Sequence, residues 1–151
     1  MDKARTTLEI VTNNPRVTEP FAVTHGVVFV HRSDGSQLDV LDRVEALLQE
    51  GYRLVSAPLP PNIPLMRAPY RSILIEKGAR RYDVPGILAV DKARERLETQ
   101  RAIDESFTPG SEEDFALIDE QLLLRALRDL SLGLALDASQ PPSEDDRRLG
   151  R

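Results

Sequence analysis

Two short segments combine residues able to hold a small molecule: Thr12-Asn13-Asn14-Pro15, and Pro58-Leu59 with Pro69-Tyr70-Arg71-Ser72 further on. Each lies where an apolar, strand-like run ends or begins. Asparagine and proline just past a buried strand fix the chain's direction and leave amide groups at one edge of a sheet, where α/β proteins hold ligands. Asn13 offers both a donor and an acceptor. The free N–H groups after Pro15 would face an anion if a helix began at Asn14, so carboxylate or phosphate recognition is the chemistry this pattern suggests. Tyr70 and Ser72, two apart in a strand, would put two hydroxyls on one face, with Arg71 turned to the other. Arg67 and Arg71 could clamp a carboxylate. The candidate ligand-binding set is therefore Asn13, Asn14, Ser56, Pro58, Leu59, Arg67, Tyr70 and Ser72. A plainer role stands beside each member: Asn14 caps, Asn13 turns, Tyr70 anchors a loop and Ser72 bonds to backbone.

No recognisable catalytic or metal constellation accompanies these segments. His25 and His31 flank one strand without a partner evident from the sequence, and they read as structural or exposed. Asp39 and Asp42 are helix neighbours on a solvated face. Neither a glycine-rich phosphate loop nor a nucleophile elbow occurs, so a conventional hydrolase, kinase or dinucleotide enzyme has no support. No cofactor or metal is implied, and the balance leans away from an enzyme.

The elements that must position these residues follow from hydrophobic period. Residues 6–12 are β-branched and apolar, as in a strand covered on both faces. Asn14 as an N-cap with Pro15 after it predicts a short helix that Pro20 ends. A second strand runs over 23–31. Leu38, Leu41, Val44, Leu47 and Leu48 then repeat at helical spacing up to Gly51, a natural residue for the helix stop. Residues 52–57 give a third strand, and strand-helix-strand order predicts a parallel pair. The five prolines of 58–69 make a stiff loop that precedes a strand over 70–75. Helical patterns over about 87–105 and from Ser111 onward complete the chain. In the last of these, Phe115, Ile118, Leu122, Leu123, Ala126, Leu127 and Leu130 form a broad stripe. It is either buried between the sheet and the preceding helix or an interface carried by Leu122, Leu123, Leu124 and Leu127.

The expected fold class is thus α/β: a single domain with a mixed, mostly parallel four-stranded sheet, flanking helices and a C-terminal helical pair. The domain spans 1–137, with an α/β part over 6–77 and a helical part over 86–134; residues 138–151 read as a disordered tail. With 151 residues, 40% of them hydrophobic, the chain can bury about two-thirds of its unfolded surface in one core. A formal charge of −5 opposes nucleic-acid backbones. The absence of cysteine removes thiolate chemistry and fits a reducing cytoplasm. No apolar stretch reaches the roughly 20 residues of a membrane span, and the N-terminus runs into a strand pattern rather than a signal-peptide core.

Taken together, Ile10-Val11-Thr12-Asn13-Asn14-Pro15, Val40-Leu41 with Val44, Gly51-Tyr52-Arg53-Leu54-Val55, Pro58-Leu59 and Pro69-Tyr70-Arg71-Ser72-Ile73 resemble the GrdX family over about residues 7–75. These are small proteins encoded beside glycine, sarcosine or betaine reductase components. The resemblance implies an accessory role around such a reductase and carries no activity. The family pattern has histidines where this chain has Tyr52 and Ala57, so any acid–base or metal work of those histidines is not available here. Three readings stay open: a cytoplasmic accessory protein binding a small carboxylate or phosphate, with a reductase component as a partner; an interaction or homodimer module using the leucine-rich helix; and an enzyme of unrecognised chemistry.

Overall fold

The computed structural model describes residues 8–58, 69–78, 82–103 and 112–139. In chain order these form β1 (Leu8–Thr12), α1 (Glu19–Thr24), β2 (Phe29–Arg32), α2 (Gln37–Gln49), β3 (Arg53–Leu54), β4 (Ser72–Glu76), α3 (Val84–Ile103) and α4 (Glu112–Ser139). The strands make one four-stranded sheet in the order β2-β1-β4-β3. β1 and β2 are parallel, whereas β4 is antiparallel to both β1 and β3.

A mixed sheet with flanking helices agrees with the expected class; the balance of directions does not. Two of its three pairings are antiparallel, because β4 starts where β1 ends, with Ser72 opposite Thr12, and runs back between β1 and β3. β3 keeps the direction of β1 and β2, but it lies at the far edge. The parallel neighbours are therefore β1 and β2, joined across α1, and not the strands that flank α2.

Strand alternation sends side chains to two cores. On one face Val11, Ile73 and Ile75 pack against Val40, Leu41, Val44, Leu47 and Leu48 of α2 and Val90, Ala93 and Leu97 of α3. On the other, Ile10, Val30 and Leu74 meet Val17, Ala22 and Val27 around α1 and Leu123 and Leu127 of α4. The two C-terminal helices thus cover opposite faces of the sheet, and α4 is buried against the strands and α1 rather than against α3. Central strands buried on both sides explain why β1 and β4 read as continuous apolar runs.

Local signals set most boundaries. Ser36 caps α2: its hydroxyl accepts from Asp39 N–H while the Asp39 carboxylate accepts from Ser36 N–H. A Cβ on Gly35 would lie 1.9 Å from Asp39 Oδ2, so a larger residue there would push that carboxylate out of its cap. Gly51, with φ of 106°, ends the helix as expected. α1 begins five residues after Asn14, which caps nothing: Thr18 is the N-cap and Pro20 sits in the first turn rather than terminating the helix. α3 starts at Val84 because Asp83 accepts from Gly86 N–H at 3.1 Å and from Leu54 N–H at 2.8 Å, fixing the helix start to β3. α4 continues through Ser139, beyond the expected 134. Residues 140–151 of the expected tail lie outside the described residues, as do 59–68 of the proline-rich loop. Among the described residues no helix is long and apolar enough to cross a membrane.

Candidate functional site

The carboxyl end of β1 is polar and largely buried. Thr12 and Asn14 are fully buried, while Ser72, Arg71 and Gln37 expose less than a tenth of their surface. These groups survive there because each is hydrogen-bonded. Thr12 Oγ1 and Ser72 Oγ are 2.7 Å apart across the β1–β4 pair, and Thr12 Oγ1 also accepts from Asn14 N–H at 2.9 Å.

The centre of the network is Asp119, 4% exposed, from the inward stripe of α4. One carboxylate oxygen accepts from Ser72 N–H at 3.1 Å; the other accepts from Ser72 Oγ at 2.6 Å and from Asn14 Nδ2 at 2.9 Å. Asn14 completes its amide by donating to Ala116 O and accepting from Arg16 N–H, both at 2.9 Å. Its carbonyl accepts from Val17 N–H at 3.1 Å and from the Arg32 guanidinium at 2.9 Å, and Arg32 also donates to Val17 O. The two N–H groups after Pro15 are thus engaged by Asn14 itself, and the helix N-terminus expected there does not exist.

Asn13, half-buried, spans three segments. Its Nδ2 donates to Gly35 O at 2.8 Å and Pro69 O at 2.9 Å, and its Oδ1 accepts from Arg71 N–H at 2.8 Å. One side chain ties the end of β1 to the turn before α2 and to the entry of β4. Asn13→Ala strands the N–H of Arg71 and two carbonyls, and is expected to destabilise by about 1–3 kcal/mol, read as a lower urea midpoint at unchanged slope.

Arg71 turns to the opposite face from Ser72, as the strand period requires, and its Nε donates to Gln37 Oε1 at 3.2 Å. Burial pulls the guanidinium pKa below its usual value, and the Asp119 charge offsets part of that.

The remaining predicted residues are dispersed. Ser56 sits three residues further along β4, where its hydroxyl accepts from Leu74 N–H at 2.9 Å; it is in mid-sheet and not on the Asn13 edge, because β3 is only two residues long. Pro58 and Tyr70 are half-buried. Leu59 and Arg67 lie outside the described residues. In α4, Leu123 and Leu127 are core residues, with Leu122 and Leu124 half-buried beside them. His31, which has no partner evident from the sequence, is buried against Glu9. No group of three or more potential metal ligands occurs among the described residues.

Asp119 and Gln37 are the members that sequence reasoning missed. A carboxylate in register with Ala116, Leu123 and Leu127 on the inward stripe is the signal that could have found the first. The run Leu122-Leu123-Leu124 hid that phase.

A family model for GrdX-like protein matches residues 9–128. No curated protein and no solved structure matches the chain. The matched span reaches past the resembling half, through α3 and into α4 beyond Asp119, and so takes in both cores and the whole buried network. The chain belongs to the GrdX-like protein family.

Proposed function

We propose that this is a cytoplasmic accessory protein, not an enzyme, that binds a small carboxylate or phosphate at the carboxyl edge of the sheet, in support of a glycine, sarcosine or betaine reductase component. The observation that carries this reading is Arg71: a guanidinium with 5% exposure at that edge, whose charge is disfavoured by burial. A guanidinium is the side chain of this set whose planar geometry suits the two oxygens of a carboxylate or phosphate. Asn13, Asn14 and Ser72 then act as the frame and not as ligand contacts, since their polar groups are spent within the chain. Tyr70, beside Arg71 and half-buried, supplies a hydroxyl at the rim.

The test is a thermal-shift series with glycine, sarcosine, betaine, acetate, acetyl phosphate and inorganic phosphate. A ligand at a hundred times its dissociation constant stabilises by about 2.7 kcal/mol. Arg71→Lys keeps the charge and loses the fork, and is expected to weaken the responding ligand about tenfold. Silence of the wild-type protein across the series removes the anion site and leaves the edge as a structural brace. The second reading, a partner or homodimer contact through α4, is favoured by Leu117 and Ile118, which are 42% and 37% exposed on the outward side of that helix.

A further inference from the structure

Glu9 and His31 stand on neighbouring parallel strands, where the register sets Glu9 beside Phe29 and Val11 beside His31. All four side chains share the α2 face of the sheet. His31 Nε2 lies 2.6 Å from Glu9 Oε1, with the two side chains 8% and 7% exposed. A carboxylate only accepts, so in this bond Nε2 carries the proton, and the tautomer that keeps the ring neutral has its lone pair on Nδ1. Nδ1 is buried and has no hydrogen-bond partner. Buried acceptors are seldom left unmatched, and this one is held in place by its neighbour.

The surroundings favour one kind of donor. Burial first, then the neighbouring Glu9 carboxylate and the charge of Glu50, hold the Tyr52 hydroxyl pKa above its usual value. The local field is therefore negative. Two rings meet the imidazole edge-on, Phe29 at 4.7 Å and Tyr52 at 5.9 Å between centroids. Among the described residues no lysine or arginine forms an ion pair with Glu9. Aromatic rings beside carboxylates, around an unmatched acceptor nitrogen, suit a cation that carries N–H donors.

We propose that the Glu9–His31–Tyr52 cluster is a binding site for a primary ammonium group, which donates to His31 Nδ1, is balanced by Glu9, and packs against the rings of Phe29 and Tyr52. Phe29, whose ring meets the imidazole, is 52% exposed on the edge strand β2 and is the solvent-facing member of the cluster. The site is separate from the Arg71 edge, four residues back along β1 from Asn13.

The experiment is a titration of the full chain, labelled with 15N-histidine, with ethylammonium chloride, against sodium chloride at matched ionic strength. The Nδ1 resonance is expected to start at the unprotonated position and to move upfield saturably with the amine alone. Glu9→Gln keeps an acceptor oxygen for Nε2 but removes the charge, and weakens saturation by about tenfold or more. Phe29→Ala, a change at an exposed position, weakens it about threefold without lowering the melting temperature. A second arm uses Nα-acetyl-lysine methylamide: tighter saturation with it than with ethylammonium assigns the ammonium to a partner's lysine, and the reverse assigns it to a free small amine. An Nδ1 already protonated in the free protein, a resonance unmoved by either amine, or an equal shift with sodium chloride overturns the proposal.

Discussion

Asp119→Ala is expected to lower the stability of the fold by about 3–5 kcal/mol, because it removes the single acceptor on which three buried donors converge. The N–H of Ser72 and one N–H of Asn14 would be left without a partner in a region that water does not reach, while the Ser72 hydroxyl can still turn to Thr12 Oγ1. Arg71, a buried cation whose charge Asp119 supports, is destabilised as well. A loss of that size is a large share of the roughly 5–15 kcal/mol by which a domain is stable. Asp119→Asn preserves the shape but presents an amide donor to other donors, and should recover less than half of the loss. Urea denaturation reads both variants, with the midpoint falling and the slope unchanged. In a double-mutant cycle, Asp119→Ala and Ser72→Ala should be less than additive, since both remove the Ser72 Oγ–Asp119 bond. A loss under about 1 kcal/mol for Asp119→Ala would mean that the network does not hold β1, β4 and α4 together.

The elements that the sequence displays most openly are those whose determinants are local. α2 carries its apolar stripe and its Gly51 stop within sixteen consecutive residues of the Ser36 cap, and the stripe and the stop appear where expected. The entry to α1 was misplaced at Asn14-Pro15, because the chain carries a second cap-and-proline pair, Thr18 with Pro20, and only tertiary contacts choose between the two. Asn14 is drawn away from capping by Ala116 and Asp119, which lie 102 and 105 residues distant in sequence. Strand neighbours were equally out of reach: an apolar run signals a strand, but nothing in residues 52–57 says that β4 will come between β3 and β1.

The candidate site shows the same division in its chemistry. Asn13, Asn14, Ser72 and Arg71 were singled out for their types and places, and they do converge on one end of the sheet. Asn13, Asn14 and Ser72 bridge the chain there, because a polar side chain at the end of a buried strand is as able to satisfy groups that the sheet leaves open as to face a ligand. Choosing between those uses requires knowing what lies across the gap. Here it is Asp119, and its place depends on the rotational phase of α4, which three adjacent leucines leave unspecified.

That phase makes the sharpest separation between a core helix and an interface helix. Leu123→Glu is expected to abolish cooperative folding, whereas Leu124→Glu is expected to cost about 1 kcal/mol or less. Leu123 is 3% exposed and packs in the cluster of Ile10, Val30 and Leu74, so a glutamate there loses the leucine's burial and brings a carboxylate into apolar surroundings. The combined penalty is on the order of several kcal/mol, comparable to the whole stability of a domain this size. Leu124, one residue on and half-buried, points about a quarter-turn away along the helix, where a charged end can reach solvent. Far-UV circular dichroism during heating reads the fold, and light scattering reads the mass. Loss of the thermal transition in Leu123→Glu with an ordinary transition in Leu124→Glu fixes α4 as part of the chain's own core. A Leu123→Glu protein that keeps its transition while its mass halves would place α4 between two copies instead, because only a side chain that leaves solvent on assembly can be charged without unfolding the monomer.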